Sequence, residues 1–412
     1  MIKTVGVFCL DSAFGFLKGL DVSPYSGRGI ALDYPLVLVN ATNTIMDEHA
    51  YWRRHRLGAQ EVRAFEDVYA SASSAHQADK ILRMQHEHHM PVQFFFVGDT
   101  EEAVAKELGV SGCVWGASAE LTRQIASKAN LHERAVELGI QHTVVPSRIC
   151  VTPQEAEIAF SKLIRTNTTI AMPDMVVFKQ SAWASGEGTE FVRSAEEAHA
   201  YAQKYSGSPM LAEAGYSDII DASVQGVFSA HGIEAMYLNE QIILDGMHHA
   251  GNLVVSNDMV PSLTARDRQE LKCKALPFFR SWQQDGYNGV LGLDSIGIRS
   301  RNSTNKVDWR CVDPNPRINA SFYPWRVLRQ VEERFGGSWA VLMCNLWPAS
   351  GAVETFEDLI RILSSMDLSG DELMLPLMTG LLPHKFAVVI IARESSRTYE
   401  LLNKLRYRVG SK

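Results

Sequence analysis

Val312-Asp313-Pro314-Asn315-Pro316-Arg317 is the stretch on which the reading of this chain turns. It ends an apolar run, Val307 to Val312, that pairs by pattern with an earlier run, Gly289 to Ile298, across the polar segment Arg299 to Lys306. Two such runs around a polar connection predict a β-hairpin. Asp294 lies on its first strand, and Asp313, Asn315 and Arg317 follow its second. Residues two apart on extended backbone face the same way, so those three side chains converge. The two prolines keep the segment extended and remove donors that would draw it into a ladder. A turn centred near residue 302 or 303 sets Asp294 on a diagonal from Asp313, roughly 7–8 Å away across the hairpin. Two carboxylates and an amide oxygen at that separation suit a hard cation, Mg²⁺ or Mn²⁺ in its place, that keeps most of its water and takes phosphate oxygens as further ligands. Arg317 beside them suits a phosphate in transfer. Asp, Asn and Pro are also the commonest turn residues, so by itself the segment reads equally well as a plain loop.

The surroundings decide between the two. Val176 to Lys179 reads as a buried strand that runs into the small-residue loop Ser181 to Thr189, with Gly186 and Gly188. Lys179 at that strand end can reach phosphate oxygens while backbone N–H groups from Ser185 to Gly188 fold over them. Further upstream, Leu121, Ile125, Leu131, Val136 and Leu138 keep helical spacing as far as Gly139 and carry Lys128 on the same helix. Pro146 to Val151 reads as a strand, and Thr152-Pro153-Gln154-Glu155 as a helix start. Neither lysine is persuasive alone, and no phosphate-binding G-x-x-x-x-G-K-[ST] or dinucleotide G-x-G-x-x-G motif follows a strand.

Taken in order, the helix lysine, the strand lysine with its glycine-containing loop, the segment Leu211-Ala212-Glu213-Ala214-Gly215-Tyr216, the acidic Asp221 and the final Asp…Asp-x-Asn-x-Arg set resemble the ATP-grasp superfamily. The resemblance covers about 119 to 324 and implies a mixed α/β and α+β chain. It implies an N-terminal α/β domain (1–118), a grasp region (119–335, split near 210 into two subdomains that hold ATP between them) and a small C-terminal module (336–412). By position, Lys128 and Lys179 match the lysines that contact the nucleotide phosphates, with Ser185, Gly186 and Gly188 folding over them. Glu213, Ala214 and Gly215 match the hinge that binds adenine, and Asp221 the acidic residue at the ribose. Asp294, Asp313 and Asn315 match the metal triad, and Arg317 the arginine near the transferring phosphate. The chain departs from the pattern with Asp in place of the more usual Glu at 313 and 221, and with only two glycines in the loop. The layout, an α/β leader before the grasp region and a small module after it, is similar to the pheganomycin-type peptide ligases. That likeness implies an ATP-dependent carboxylate–amine ligase working through an acyl phosphate and joining an amino acid to an amino acid or peptide. On that reading Lys179, Arg317 and Arg310 serve catalysis, and Arg310 or the pair His248 and His249 hold a substrate carboxylate or acyl phosphate. The alternatives are an ATP-binding regulatory protein of the same fold without turnover, and a small-molecule kinase.

Composition narrows the partners. The chain has 412 residues, 46% hydrophobic and 21% charged, with a formal charge of -7. That length predicts two or three domains of a folded protein. The acidic balance, with a pI near 6.0, argues against a general nucleic-acid binder. Six cysteines spread without a C-x-x-C pair fit reduced thiols and a cytoplasmic location. The apolar run Val5 to Leu10 is too short for a signal peptide, and no run approaches the roughly 20 apolar residues that cross a bilayer. Small-molecule substrates are therefore the expected partners, with a homodimer left open. Early strands are expected at Thr4 to Leu10, Pro35 to Asn40 and Val92 to Gly98, and a late strand and helix at Phe386 to Ala392 and Ser395 to Leu405. His86, His88 and His89 on a polar helical stretch, Asp79 to Met90, read as a solvated face, and the aromatics at Phe322 to Trp325 as core.

Overall fold

The computed structural model describes residues 4–7, 23–39, 43–64, 91–107, 109–166, 171–180, 188–205, 207–244, 248–300 and 303–411. Ser185, Gly186 and the histidines at 86, 88 and 89 lie outside the described residues. No described helix is long and apolar enough to cross a membrane.

The N-terminal layer is a parallel sheet of β1 (Val5–Val7), β2 (Leu36–Val39), β3 (Glu61–Ala64) and β4 (Val92–Phe94), in the order β3-β2-β1-β4. Helix α1 (Asn43–Arg54) joins β2 to β3, and α2 (Asp99–Glu107) follows β4. β1, β2 and β4 are buried on both sides, as parallel strands with covered faces are.

The helical stretch that reads as continuous to Gly139 is two helices, α3 (Ala119–Ala126) and α4 (Lys128–Glu137). Ser127 is extended, and its side chain accepts from the backbone N–H of Asn130 while its own N–H donates to Gln124. One serine thus closes the first helix and caps the second. Lys128 therefore occupies the first turn of α4 and not the middle of a long helix.

A second, antiparallel sheet is built from β5 (Ser147–Cys150), β6 (Met175–Gln180), β7 (Glu190–Val192) and β8 (Met210–Gly215), in the order β5-β8-β6-β7. Helices α5 (Pro153–Leu163) and α6 (Ala195–Lys204) cover one face, packing Phe160 and Tyr201 against Phe178. Thr152 and Glu155 form a reciprocal cap with Pro153 in the first turn, as the sequence predicts.

The third sheet dominates the molecule. Its strands are β9 (Ile219–Ser229), β10 (Gly232–Leu244), β11 (His248–Val255), β12 (Gly289–Ser300), β13 (Ser303–Asn315), β14 (Ala340–Leu346), β15 (Leu373–Leu377) and β16 (Phe386–Ala392). They run in the order β13-β12-β9-β10-β11-β14-β16-β15. One face is covered by α7 (Ala265–Gln284) towards β13 and by α9 (Phe356–Ser364) and α10 (Ser395–Val409) towards β15. The other face packs on the N-terminal layer and on α8 (Phe322–Phe335), burying Phe322, Tyr323 and Trp325 as the sequence predicts. The strands after residue 336 therefore extend the sheet that carries the hairpin, where the sequence suggests a separate small module.

The hairpin itself differs from expectation in register. Ser300 pairs with Ser303, so the turn sits about one residue earlier, and a bulge at Val312 absorbs one residue between Asp294↔Asp313 and Ser295↔Cys311. Asp294 and Asp313 are thus direct cross-strand partners instead of diagonal ones, and Gly292 stands opposite Asn315.

Candidate active site

The small sheet and the hairpin meet through charges. On β8, Glu213 is 2% exposed and both its oxygens are engaged: Lys179 Nζ lies 2.5 Å from Oε2 and His132 Nε2 lies 2.8 Å from Oε1. Desolvation alone would raise the Glu213 pKa, but Lys179 and His132 outweigh it and bring it down to about 2. Burial likewise works to lower Lys179, and Glu213, Asp313 and Asp294 together raise it. Lys179 on the small sheet thus feels both hairpin aspartates. Lys128, 8% exposed in the first turn of α4, closes the gap with its Nζ 3.1 Å from Asp313 Oδ1. His132 is the residue that motif reading misses. Its signal is its place four residues beyond Lys128, hence on the same helix face.

Across the hairpin, the Asn315 amide donates to Asp294 Oδ2 at 3.0 Å and Gln241 Nε2 donates to Oδ1 at 2.9 Å. Burial and the like charge of Asp313 push the Asp294 pKa up to about 6, against the help of Ser223, Gln241 and Arg317. Two carboxylates held as direct partners repel unless a cation stands between them. Burial lowers Arg317, and the Asp313 and Asp294 charges act against that. Among the described residues no group of three or more His, Cys, Asp or Glu side chains forms a ready metal cage. The donor set is two carboxylates and an amide, which fits a magnesium ion that completes its shell with water and phosphate.

This end of the sheet face is polar over many strands. Gln225 donates to Ser223 at 2.6 Å, Asn239 donates to Asn252 at 2.8 Å, and Asn319 donates to Gln225. A methyl group on Gly292 would lie 2.5 Å from the Asn319 amide and 2.6 Å from Gln225, so only glycine leaves room for this row beside the aspartates. Asp221, on the same face by its two-residue spacing from Ser223, is raised by burial.

The remaining predicted residues are placed less uniformly. Ala214 and Gly215 end β8, with the Ala214 N–H donating to the Pro146 carbonyl and the Gly215 carbonyl accepting from Asp174. Gly188 has a φ of 65° at the loop's end, and its carbonyl accepts from the Tyr201 hydroxyl at 2.5 Å. Arg310 is held by Asp308 at 2.5 and 2.8 Å and by the backbone carbonyls of His142 and Val144. Its guanidinium is thereby fixed to the segment after α4 and is not brought to the aspartate pair. His249 meets the Asn252 amide at 3.0 Å, several strands from the hairpin, and His248 begins β11. A cavity of about 390 Å³ between Trp115, Tyr237, Asp258, Trp325 and Glu332 contains none of these residues.

Three sheets in this order, with the lysines and aspartates gathered where the second and third approach, match the ATP-grasp fold, and solved structures agree over the whole chain. The ADP complex of N5-carboxyaminoimidazole ribonucleotide synthetase matches with a TM-score of 0.58 at 13% identity, over 98% of this chain and 97% of that one. The biotin carboxylase of Campylobacter jejuni, solved with an ATP analogue, matches at 0.59 and 11%, over 100% of this chain and 92% of that one. The synthetase from Thermus thermophilus matches at 0.57 and 14%, over 98% of each. No family model and no curated protein sequence matches the chain.

Proposed function

We propose that this protein is an ATP- and Mg²⁺-dependent ligase that joins a carboxylate to an amine. The observation that carries the proposal is the convergence of Lys128 and Lys179, from two different elements, on the Asp294–Asp313 pair. Two lysines beside two carboxylates and an amide would suit a polyphosphate held against a divalent cation. The nucleotide would lie between residues 119–209 and 210–335, with its adenine against Ala214 and Gly215 and its ribose at Asp221. Lys128 and Lys179 would hold phosphate oxygens, together with the loop of Ser185, Gly186 and Gly188. Asp294, Asp313 and Asn315 would hold Mg²⁺, which when bound cancels phosphate charge. Arg317 would stabilise the phosphoryl group in flight.

The chemistry then needs no protein nucleophile. A carboxylate oxygen of the acid attacks the γ-phosphorus and ADP leaves. The amine nitrogen attacks the acyl carbon, phosphate leaves, and the amine gives up a proton. The chain's contribution is positioning and charge cancellation. The layout favours an amino acid or peptide as the joined partners. The neighbours named above support adding bicarbonate to the acids tested, since one related biotin carboxylase domain was solved with MgADP and bicarbonate.

The test is a screen of amino acids, short peptides and bicarbonate for acid-dependent ADP release, with hydroxylamine as the trapping amine. A carboxylic acid substrate should yield ADP and a hydroxamate in equal amounts. ADP release with a stable phosphorylated product would make the protein a kinase. ATP binding with no turnover under any pairing would leave a nucleotide-binding regulator.

A further inference from the structure

The polar row does not stop at the aspartates. It crosses the large sheet through Gln241, Asn239 and Asn252 to His249, which a bulge at Ala250 returns to the same face, since Ile242 pairs with Gly251 and Ile243 with His249. On the next strand, Val341 and Met343 pack towards the N-terminal layer while Leu342, Cys344 and Leu346 pack away from it. Alternation therefore turns Asn345 to the same covered face. Asn345 is 5% exposed, and its Oδ1 finds no hydrogen-bond partner among the described residues. A buried amide oxygen in that state is rare and costly in a folded chain.

Two cations lie towards the same face. Leu346 pairs with Phe386, so the next rung sets Lys385 opposite Trp347, and Lys385 Nζ lies 4.9 Å from the Trp347 ring centre. From the N-terminal layer, Arg28 reaches in until its Nε lies 2.8 Å from the sulfur of Met378, just past the end of β15. The Arg28 charge is felt by Lys385, His249 and Tyr323 alike. Burial and Arg28 together bring Lys385 down to about 8. His249 is exposed at its edge of the site, and desolvation of its ring, Arg28 and Lys385 push it below its ordinary value. An anion placed among these groups would be drawn by both the Arg28 and the Lys385 charge.

We propose that Arg28, Lys385 and Asn345 form a subsite for the anionic group, a carboxylate or phosphate monoester, of the second substrate. Asn345 Oδ1 accepts there from an N–H or O–H next to that group. The polar row of Gln241, Asn239 and Asn252 then connects the subsite to the aspartate pair. The assignment rests on the ligase reading for the words "second substrate", but anion binding itself does not.

Two measurements separate the two claims. In the first, the full chain with its nucleotide cleft filled by Mg²⁺ and a non-hydrolysable ATP analogue is titrated calorimetrically with inorganic phosphate and, separately, with acetate. The tighter of the two probes should lose about 10- to 100-fold in affinity in Lys385→Met and in Arg28→Met, with recovery in Lys385→Arg. The probe that binds tighter tells phosphate from carboxylate. Equal affinity in wild type and both variants, or no binding in the wild type, overturns the subsite. In the second, with an amine substrate in hand, Lys385→Met should raise the KM for that amine at least about tenfold with kcat within about twofold. A fall in kcat at unchanged KM overturns the assignment to substrate. Anion binding lost in the variants of a protein that turns over no substrate would sink the ligase reading and keep the subsite.

Discussion

Glu213 and Asp294 are both withdrawn from bulk water in the same cleft, yet their surroundings drive them in opposite directions. Glu213 has Lys179 on one oxygen and His132 on the other, and its pKa falls to about 2. Asp294 has two neutral amides and a second aspartate directly across the hairpin, and its pKa climbs to about 6. The first carboxylate is neutralised within the chain and ties the small sheet to α4. The second keeps a raised pKa even though Lys128 pairs with Asp313 and Arg317 acts on Asp294, and a divalent cation at the pair would offset what remains. The difference separates a carboxylate fully paired inside the chain from one that keeps a raised pKa.

The largest effect should come from the aspartate pair. Asp313→Ala is expected to lower ADP release by about 1,000-fold or more with the fold retained, since the relief of Asp294 works against the loss of the Lys128 pair. Turnover within tenfold of the wild type would remove Asp313 from the reaction. Next comes the compensated side. Glu213→Gln leaves the Lys179 ammonium nearly buried without its counter-charge, and should cost about 3 kcal/mol of stability at pH 7 in urea denaturation. Because the folded pKa of Glu213 lies below its unfolded value of about 4.5, its contribution is complete above that value. The contribution fades as pH falls towards about 2, so the gap between wild type and variant should close in that direction.

Asp294→Asn should do the reverse in magnesium-free protein. Its folded pKa lies above the ordinary 3.8, so the ionised carboxylate burdens the fold progressively from about pH 4 to about pH 6 and fully above. Solvent reaches part of Asp294, which trims the gain from Asp294→Asn to on the order of 2 kcal/mol at pH 7. Millimolar Mg²⁺ with ADP should stabilise the wild type and not the variant. A variant less stable than wild type at pH 7, or a gain that shrinks with rising pH, would contradict the contrast with Glu213.

Much of this cleft is legible in residue order, and what escapes does so for identifiable reasons. The hairpin and the helix start at Thr152 follow from local pattern, which short-range chemistry enforces. The facing of Asp294 and Asp313 depends on a one-residue bulge at Val312, which no periodicity announces. Ser127 splits a helix whose apolar spacing continues unbroken on both sides. Ser223, Gln225, Asn239 and Asn252 recur as polar residues on strands, a pattern that ordinarily means a face in water; here the N-terminal layer and α8 cover it. Alternation reports that a sheet has two unlike faces, not which neighbour covers each. β15 escapes the pattern because it contains Pro376, which a strand tolerates only at an edge, and β15 is the last strand of its sheet.

The smallest expected effect is the most discriminating for the comparison. His132 reaches Glu213 at 2.8 Å, but Lys179 already supplies the full counter-charge from the other oxygen. Removing the imidazole therefore withdraws one hydrogen bond from a carboxylate that stays paired, and His132→Ala should cost about 1 kcal/mol. In the background of Glu213→Gln the same substitution should cost less, because the partner that gave the contact its charge-assisted strength is gone. The double-mutant cycle should return a coupling of about 0.5 kcal/mol or more. Strict additivity would mean that His132 and Glu213 stabilise the site independently, and that the contact between them does not tie α4 to the small sheet.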